Sequence, residues 1–176
     1  MFFSLKAYNN KSKKNVLVLL YDNGYITGYG GIFGGSNTLN FSNDIQGKVV
    51  DVDPGQYYSI ILLNDGTITG YGSYAGVSFG QNTNFPNSIQ GDVTGVAAAS
   101  TVLMALLKDG TVAGWGNNNV VPEQLNIPSS IQGNVTGIFG GSFHFAAILK
   151  NCTVTAWGNN YGGLNLSSPP NVNLFN

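Results

Sequence analysis

The chain has 176 residues, a length that suits one ordinary domain, and only 9% of them are charged against a usual fraction of about 25%. All seven basic residues are Lys, so an arginine finger or a guanidinium fork for phosphate is excluded, and the net charge of −1 predicts no nucleic-acid partner. One Cys excludes an intrachain disulfide framework. One His with one Cys cannot supply the usual ligands of a zinc site, so we predict no metal and no cofactor.

The chain begins with a basic N-terminal segment, residues 1–14, which carries four Lys. The segment lacks the continuous apolar stretch of a secretory signal, and no apolar run in the chain approaches the roughly 20 residues of a membrane helix. We therefore expect a soluble protein with no membrane partner. The cytoplasm is one option for its location, and the compartment stays open.

After this head the chain is a repeat. A turn-and-strand phrase starts four times, at Asp22, Asn64, Lys108 and Lys150. Its third position is Gly24, Gly66, Gly110 or Cys152, at spacings of 42, 44 and 42 residues. A second phrase, Ile-Gln-Gly, marks the same period three times, at residues 45–47, 89–91 and 131–133. These phrases divide the chain into units of about 10–47, 48–91, 92–133 and 134–176 within a single repeat domain.

Each unit is predicted to consist of short strands. In the third unit an apolar run, 93–98, precedes a second run, 102–107, that is continuous enough to be buried on both faces. Asp109-Gly110 then indicates a tight turn, and residues 111–116 return as the partner strand. No window has sustained helical periodicity, so we predict an all-β fold with three to four antiparallel strands per unit. Units of 42–44 residues match the blade of a β-propeller.

The two ends bear on closure of such a ring. The head shows no obvious opening strand before Val16, whereas the tail aligns with the opening strand of a unit. We therefore predict that the tail completes the first blade, either of the same chain or of a neighbour, because unpaired strand edges invite pairing. The predicted strand-exchange or closure residues are Val172, Leu174 and Phe175. A self-closed ring, a dimer and an open head-to-tail filament remain alternatives.

The fourth unit carries a family resemblance. Its Gly141-Ser-Phe-His144, its Ala-Ala-Ile148 strand and its Trp157-Gly158-Asn-Asn-Tyr-Gly-Gly-Leu164 segment resemble the repeat of the regulator of chromosome condensation family. The shorter units and the 125–128 segment are more similar to the propeller-type β-lactamase inhibitor. The resemblance implies a β-propeller with about seven blades. Four units therefore imply a partial ring completed by oligomerisation, unless the chain closes by itself.

The residues that suggest catalysis have structural explanations. His144 occupies the structural His position of the resembling repeat, and a predicted strand of over 20 Å separates it from Cys152. Cys152 is interpreted as a replacement of a turn Gly. Asp65 and Asp109 belong to turns, and Asp51 and Asp53 lie on one side of a strand without a matching pair elsewhere. We predict no catalytic residue and no enzyme activity, with an Asp51/Asp53 hydrolase as the least favoured of the alternatives.

A binding face is the stronger hypothesis. Aromatic and amide side chains occur in the connections that should open on one face of the ring, and such residues are typical anchors of recognition. The predicted partner-binding residues are Tyr57, Tyr58, Phe143, Asn117, Asn118, Asn159, Asn160 and Tyr161. The sequence thus predicts a non-enzymatic propeller that binds a protein, with a second copy of itself as one option. The alternative is a lectin-like propeller that binds a glycan.

Overall fold

A computed structural model of the chain describes residues 3–10, 14–30, 38–39, 41–55, 58–74, 77–78, 85–100, 102–116 and 122–159. It separates into two compact units, Met1–Gly91 and Asp92–Asn176. Secondary structure in the described residues is β-strand with short 3-10 helices. None of the described helices has the length and hydropathy that a membrane span requires.

The first compact unit contains two antiparallel sheets, each with its strands in chain order. The first sheet is β1 Phe3–Asn10, β2 Lys14–Tyr21, β3 Ile26–Gly30 and β4 Thr38–Leu39. The second sheet is β5 Val49–Pro54, β6 Tyr58–Leu63, β7 Ile68–Tyr74 and β8 Val77–Ser78. The core of the first compact unit contains buried residues from both sheets: Val18, Leu20, Ile26, Phe41, Val49, Val52 and Ile61.

The second compact unit also contains two antiparallel sheets. They are β9 Val93–Ala98, β10 Val102–Leu107 and β11 Val112–Gly116, then β12 Val135–Gly140, β13 His144–Leu149 and β14 Val154–Gly158. The continuous run of β10 is buried at five of its six positions, Val102–Leu106, as its two-sided apolar sequence predicts. The prediction of four repeats with three to four antiparallel strands each is therefore confirmed.

The head of the chain corrects one expectation. β1 pairs antiparallel with β2 from Phe3↔Tyr21 to Asn10↔Lys14, so the first sheet has its opening strand from the start of the same chain. The strand pattern of this segment is weak because Lys, Ser and Asn interrupt its apolar residues. Apolar and polar residues nevertheless alternate from residue 3 to residue 7, as in a strand with one buried face. The place beside β2 that we assigned to the tail is thus occupied by β1. The tail residues Val172, Leu174 and Phe175 lie outside the described residues.

The second recurrent phrase, at the end of each of the first three repeats, is hydrogen-bonded to the hairpin of the same repeat. The Gln132 amide forms two bonds with one residue, because the Val112 N–H donates to Oε1 at 2.7 Å and Nε2 donates to the Val112 C=O at 3.0 Å. Gln46 does the same with Ile26, and Gln90 with Ile68. We call each such segment an Ile-Gln-Gly brace, at residues 45–47, 89–91 and 131–133.

The brace also explains the glycine of each hairpin turn. Gly110 has φ +86°, and its C=O accepts from the Gly133 N–H at 3.1 Å. A Cβ at Gly110 would lie 2.9 Å from the Gly133 oxygen, so the turn requires glycine for two separate reasons. Gly24 and Gly66 make the same bond to Gly47 and Gly91. Cys152 stands at the corresponding turn with φ +63°, the strained value for a residue with a side chain.

Candidate functional site: the loop end of repeats three and four

The connections β9–β10 and β12–β13 meet at the end of their sheets opposite the hairpin turns. We call this end of the second compact unit the loop end. Ser100 is buried, and both its N–H (3.2 Å) and its hydroxyl (2.7 Å) donate to the Ser142 C=O. These bonds tie the two connections together and fix the positions from which Phe143 extends.

A buried glutamine completes the base of the loop end. Gln124 lies on the 3-10 helix Pro122–Leu125 and has 0% of its surface exposed. Its Nε2 donates to the Ser142 C=O at 3.4 Å, and its backbone C=O accepts from Trp157 Nε1 at 3.0 Å. Its Oε1 has no hydrogen-bond partner among the described residues. No pattern in the sequence singles out this residue, because a lone Gln in an irregular segment does not indicate burial.

Trp157 supports the loop end from within the core. It is 5% exposed and stacks on its cross-strand neighbour Phe145, with ring centroids 5.9 Å apart and planes at 22°. The corresponding aromatic of the first repeat behaves differently, since Tyr29 is 50% exposed opposite the smaller Leu17. Corresponding positions of the repeat thus place one aromatic ring in the core and leave the other half exposed.

Two of the predicted partner-binding residues are brought together here. The Asn159 N–H donates to the Phe143 C=O at 2.9 Å, and Asn159 Nδ2 donates to Glu123 Oε2 at 3.3 Å. Phe143 and Asn159 are partly buried and Glu123 is exposed, so an amide, an aromatic ring and one carboxylate form the edge of the loop end. Sequence reasoning did not select Glu123.

The remaining predicted residues cannot be placed at this site. Tyr58 belongs to β6 in the first compact unit, and only its backbone is described. The others lie outside the described residues: Tyr57, Asn117, Asn118, Asn160 and Tyr161. Their role in binding stays a prediction.

His144 is positioned by the glycine three residues before it. A Cβ on Gly141 would lie 2.6 Å from His144 Nε2, so the imidazole lies directly against the backbone of the connection, which explains the Gly-x-x-His spacing. The Nδ1 atom has no hydrogen-bond partner in the described part of the chain. The strand β13 separates His144 from Cys152, which lies at the hairpin turn, as the sequence predicted.

The carboxylates of the hairpin turns cap backbone groups. Asp65 Oδ1 accepts from the Thr67 N–H at 2.9 Å and from its hydroxyl at 2.6 Å, and Asp109 accepts from Thr111 in the same way. The Thr hydroxyl and then the Thr N–H hold the pKa of each Asp carboxyl below its ordinary value. Both groups are thereby committed to the turn.

Asp51 and Asp53 lie on β5, two positions apart. Both are partly buried on β5, and Asp51 Oδ1 accepts from the Val52 N–H at 2.9 Å. Among the residues with described positions, no group of three His, Cys, Asp or Glu side chains lies close enough to hold a metal ion.

The described geometry is matched by known propellers, although no protein-family description and no curated protein matches the sequence. Human WBSCR16 aligns with a TM-score of 0.62 and 19% identity, over 81% of this chain and 44% of its own. Saccharomyces cerevisiae Prp20p, also named yeast RCC1, aligns at 0.61 and 16% identity over 85% and 45%, respectively. The receptor kinase CR4 ectodomain of Physcomitrella patens aligns at 0.61 and 17% identity over 97% and 46%.

These likenesses define the fold. The chain spans less than half the length of each of the three proteins. At these identities the shared feature is the architecture of the repeat and of its sheets. The similarity to the propeller-type β-lactamase inhibitor stays a prediction. The four repeats of this chain have the β-propeller fold of regulator of chromosome condensation proteins.

Proposed function

We propose that this chain is a non-enzymatic β-propeller module that binds a protein at its loop end. The observation that carries the proposal is the arrangement of Phe143 and Asn159, which a backbone hydrogen bond of 2.9 Å holds side by side. An aromatic ring and an amide held at the ends of β13 and β14 provide contact area and hydrogen bonding at a low cost in conformational entropy. The single carboxylate, Glu123, already has an amide partner in Asn159.

The similar proteins support a protein partner. Prp20p is described with its binding properties to Gsp1p and histones, and a second structure contains it bound to Kap60. Those partners belong to Prp20p. What this chain shares with Prp20p is the fold, and propeller loops commonly present recognition residues on a rigid scaffold.

Affinity capture with the full chain tests the proposal. A double variant, Phe143→Ala with Asn159→Ala, removes the loop-end contacts. The matched control, Lys108→Ala with Asp92→Ala, removes an exposed ion pair beside the hairpin turn of β10 and β11. We call this end of the second compact unit, opposite the loop end, the turn end. We expect one protein to be retained by the wild type and the control and to be lost with the double variant. Equal retention by all three would contradict the proposal.

Two finer alternatives have their own measurements. Light scattering at increasing protein concentration tests whether the partner is a second copy of this chain, because self-assembly raises the mass with concentration. A glycan array tests the lectin-like alternative, which the amide and aromatic composition of the loop end favours. Binding to one glycan class, lost in the Phe143→Ala and Asn159→Ala double variant, would replace the protein partner by a carbohydrate.

A further inference from the structure

Among the described residues, the hairpin of β13 and β14 has no glutamine brace, whereas the other three hairpins each have one. Its turn is built like theirs, since the Leu149 N–H donates to the Thr153 C=O at 2.9 Å just as the Leu107 N–H does to Thr111. Val154 therefore corresponds to Val112, the residue that Gln132 holds. No glutamine follows Gln132 in the sequence, and Pro170 stands at the aligned position of the tail. The segment that aligns with 131–133 therefore offers no glutamine for a fourth brace.

The backbone of Val154 is directed away from its own sheet. Val154 pairs with Ile148 as Val112 pairs with Leu106. At such alternate positions of an antiparallel pair the N–H and C=O point to the outer side of the strand, and Gln132 meets Val112 on that side. No described residue forms a hydrogen bond with the outward N–H and C=O of Val154.

Exposure agrees with the missing brace. The three braced residues are buried, with 4% of Ile26, 5% of Ile68 and 5% of Val112 exposed, whereas Val154 is only partly buried. The partly buried surface and the outward backbone groups lie at the same edge, beside the turn of Cys152. A β-edge with an apolar side chain and unpaired polar groups is a template for another segment.

We propose that the Val154 edge binds an Ile-Gln-Gly segment of a partner protein that contains repeats of this kind. The glutamine would accept from the Val154 N–H and donate to its C=O, and the isoleucine would cover its side chain, as Gln132 and the 1% exposed Ile131 do at Val112. A second copy is a poor donor, because the glutamine of each of its three Ile-Gln-Gly segments is already engaged within its own chain. This edge lies at the turn end, so the inference does not rest on the loop-end proposal.

The test uses nitrogen-15-labelled full chain and a synthetic peptide with the sequence of residues 126–138. We expect the Val154 amide resonance to shift to saturation, while the Val112 and Ile68 amides stay in place because their braces are present within the chain. The same peptide with Gln132→Met lacks both bonds of the brace and should bind about tenfold more weakly. An unshifted Val154 amide at about 1 mM peptide, or equal binding of the two peptides, would overturn the proposal.

Two changes in the protein provide matched controls. Val154→Pro removes the outward N–H but no bond to β13, so the other amides should keep their positions while peptide binding falls about tenfold. Replacing Pro169-Pro170 by Ile-Gln-Gly should supply a brace within the chain and abolish peptide binding. Unchanged binding in this grafted chain would overturn the proposal. A Val154 shift that follows protein concentration without peptide would assign the edge to a second copy instead.

Discussion

Gln132 holds Val112 by both backbone polar groups, accepting from the N–H at 2.7 Å and donating to the C=O at 3.0 Å. A side-chain amide thus acts as one more strand residue at the edge of β11. The same pairing at Ile26 and Ile68 makes it the recurrent link between a hairpin and the segment that ends its repeat. The repeat period of the sequence is therefore also a period of hydrogen bonding.

Removing one brace should destabilise the protein. Gln132→Met keeps the length of the side chain but loses two partly buried hydrogen bonds, so we expect the free energy of unfolding to fall by about 2 kcal/mol. Gln132→Glu retains an acceptor for the Val112 N–H and should lose less. Urea denaturation of the full chain measures both, and a Met variant as stable as the wild type would show that the brace contributes nothing.

Cys152 should be a site where glycine stabilises the fold. Its φ of +63° is strained for a residue with a Cβ, so we expect Cys152→Gly to raise the free energy of unfolding by about 0.5–1 kcal/mol. The reciprocal change, Gly110→Cys, places a Cβ 2.9 Å from the Gly133 oxygen and should be strongly destabilising. Thermal unfolding under reducing conditions measures both, and a lower midpoint for Cys152→Gly would contradict this account of the turn.

The turn aspartates should make stability depend on acid pH. The Thr hydroxyl and N–H lower the pKa of Asp65 and of Asp109 from 3.8 in the folded state. A lowered folded pKa contributes stability that is present above the unfolded value and is lost as the pH falls through the folded value. We therefore expect stability to decrease below pH 3.8.

A double asparagine variant isolates this contribution. Asn151 already accepts from the Thr153 N–H at 3.1 Å and from its hydroxyl at 2.7 Å, so Asn supports the same turn without a charge. Asp65→Asn with Asp109→Asn should fold normally at neutral pH and lose part of the acid dependence below pH 3.8. If the free energy of unfolding decreases below pH 3.8 as much as in the wild type, other carboxylates produce the acid dependence.

The loop end should depend on the Trp157 indole. Trp157→Phe removes the donor to the Gln124 C=O in a buried place, so we expect a loss of about 1–2 kcal/mol in the free energy of unfolding. The matched control is Tyr29→Phe at the corresponding position of the first repeat, where the ring is half exposed and the effect should stay within about 0.5 kcal/mol. Equal losses in a denaturation experiment would contradict the role of the indole hydrogen bond.

Most of the fold follows from local sequence. The Asp-Gly turns and the apolar run of β10 identify hairpins because turn chemistry and two-sided burial leave strong signals. The strand β1 was missed since its Lys, Ser and Asn residues weaken the pattern. The role of the Ile-Gln-Gly phrase was also missed, because its glutamine acts on a residue 20 to 22 positions away.

The candidate site was less accessible to sequence reasoning. Phe143 and Asn159 were predicted to bind a partner from their residue types and their place in connections, and that role stays a prediction. The burial of Gln124 and the hydrogen bond from Asn159 to Glu123 depend on where the segment 122–125 packs in the folded chain. Composition and local sequence do not determine that position. The sequence places Asp65 and Asp109 in turns, and in the structure both cap the turn backbone.

Photo-crosslinking inside cells that produce the protein tests most directly whether the loop end binds a protein. A photoreactive phenylalanine analogue at position 143 samples the loop end, and the same analogue at position 108 samples the exposed turn end of the same compact unit. The account predicts a discrete covalent adduct with one protein from position 143 and none of that mass from position 108. The absence of an adduct from position 143, or the same adduct from both positions, would contradict a protein-binding loop end.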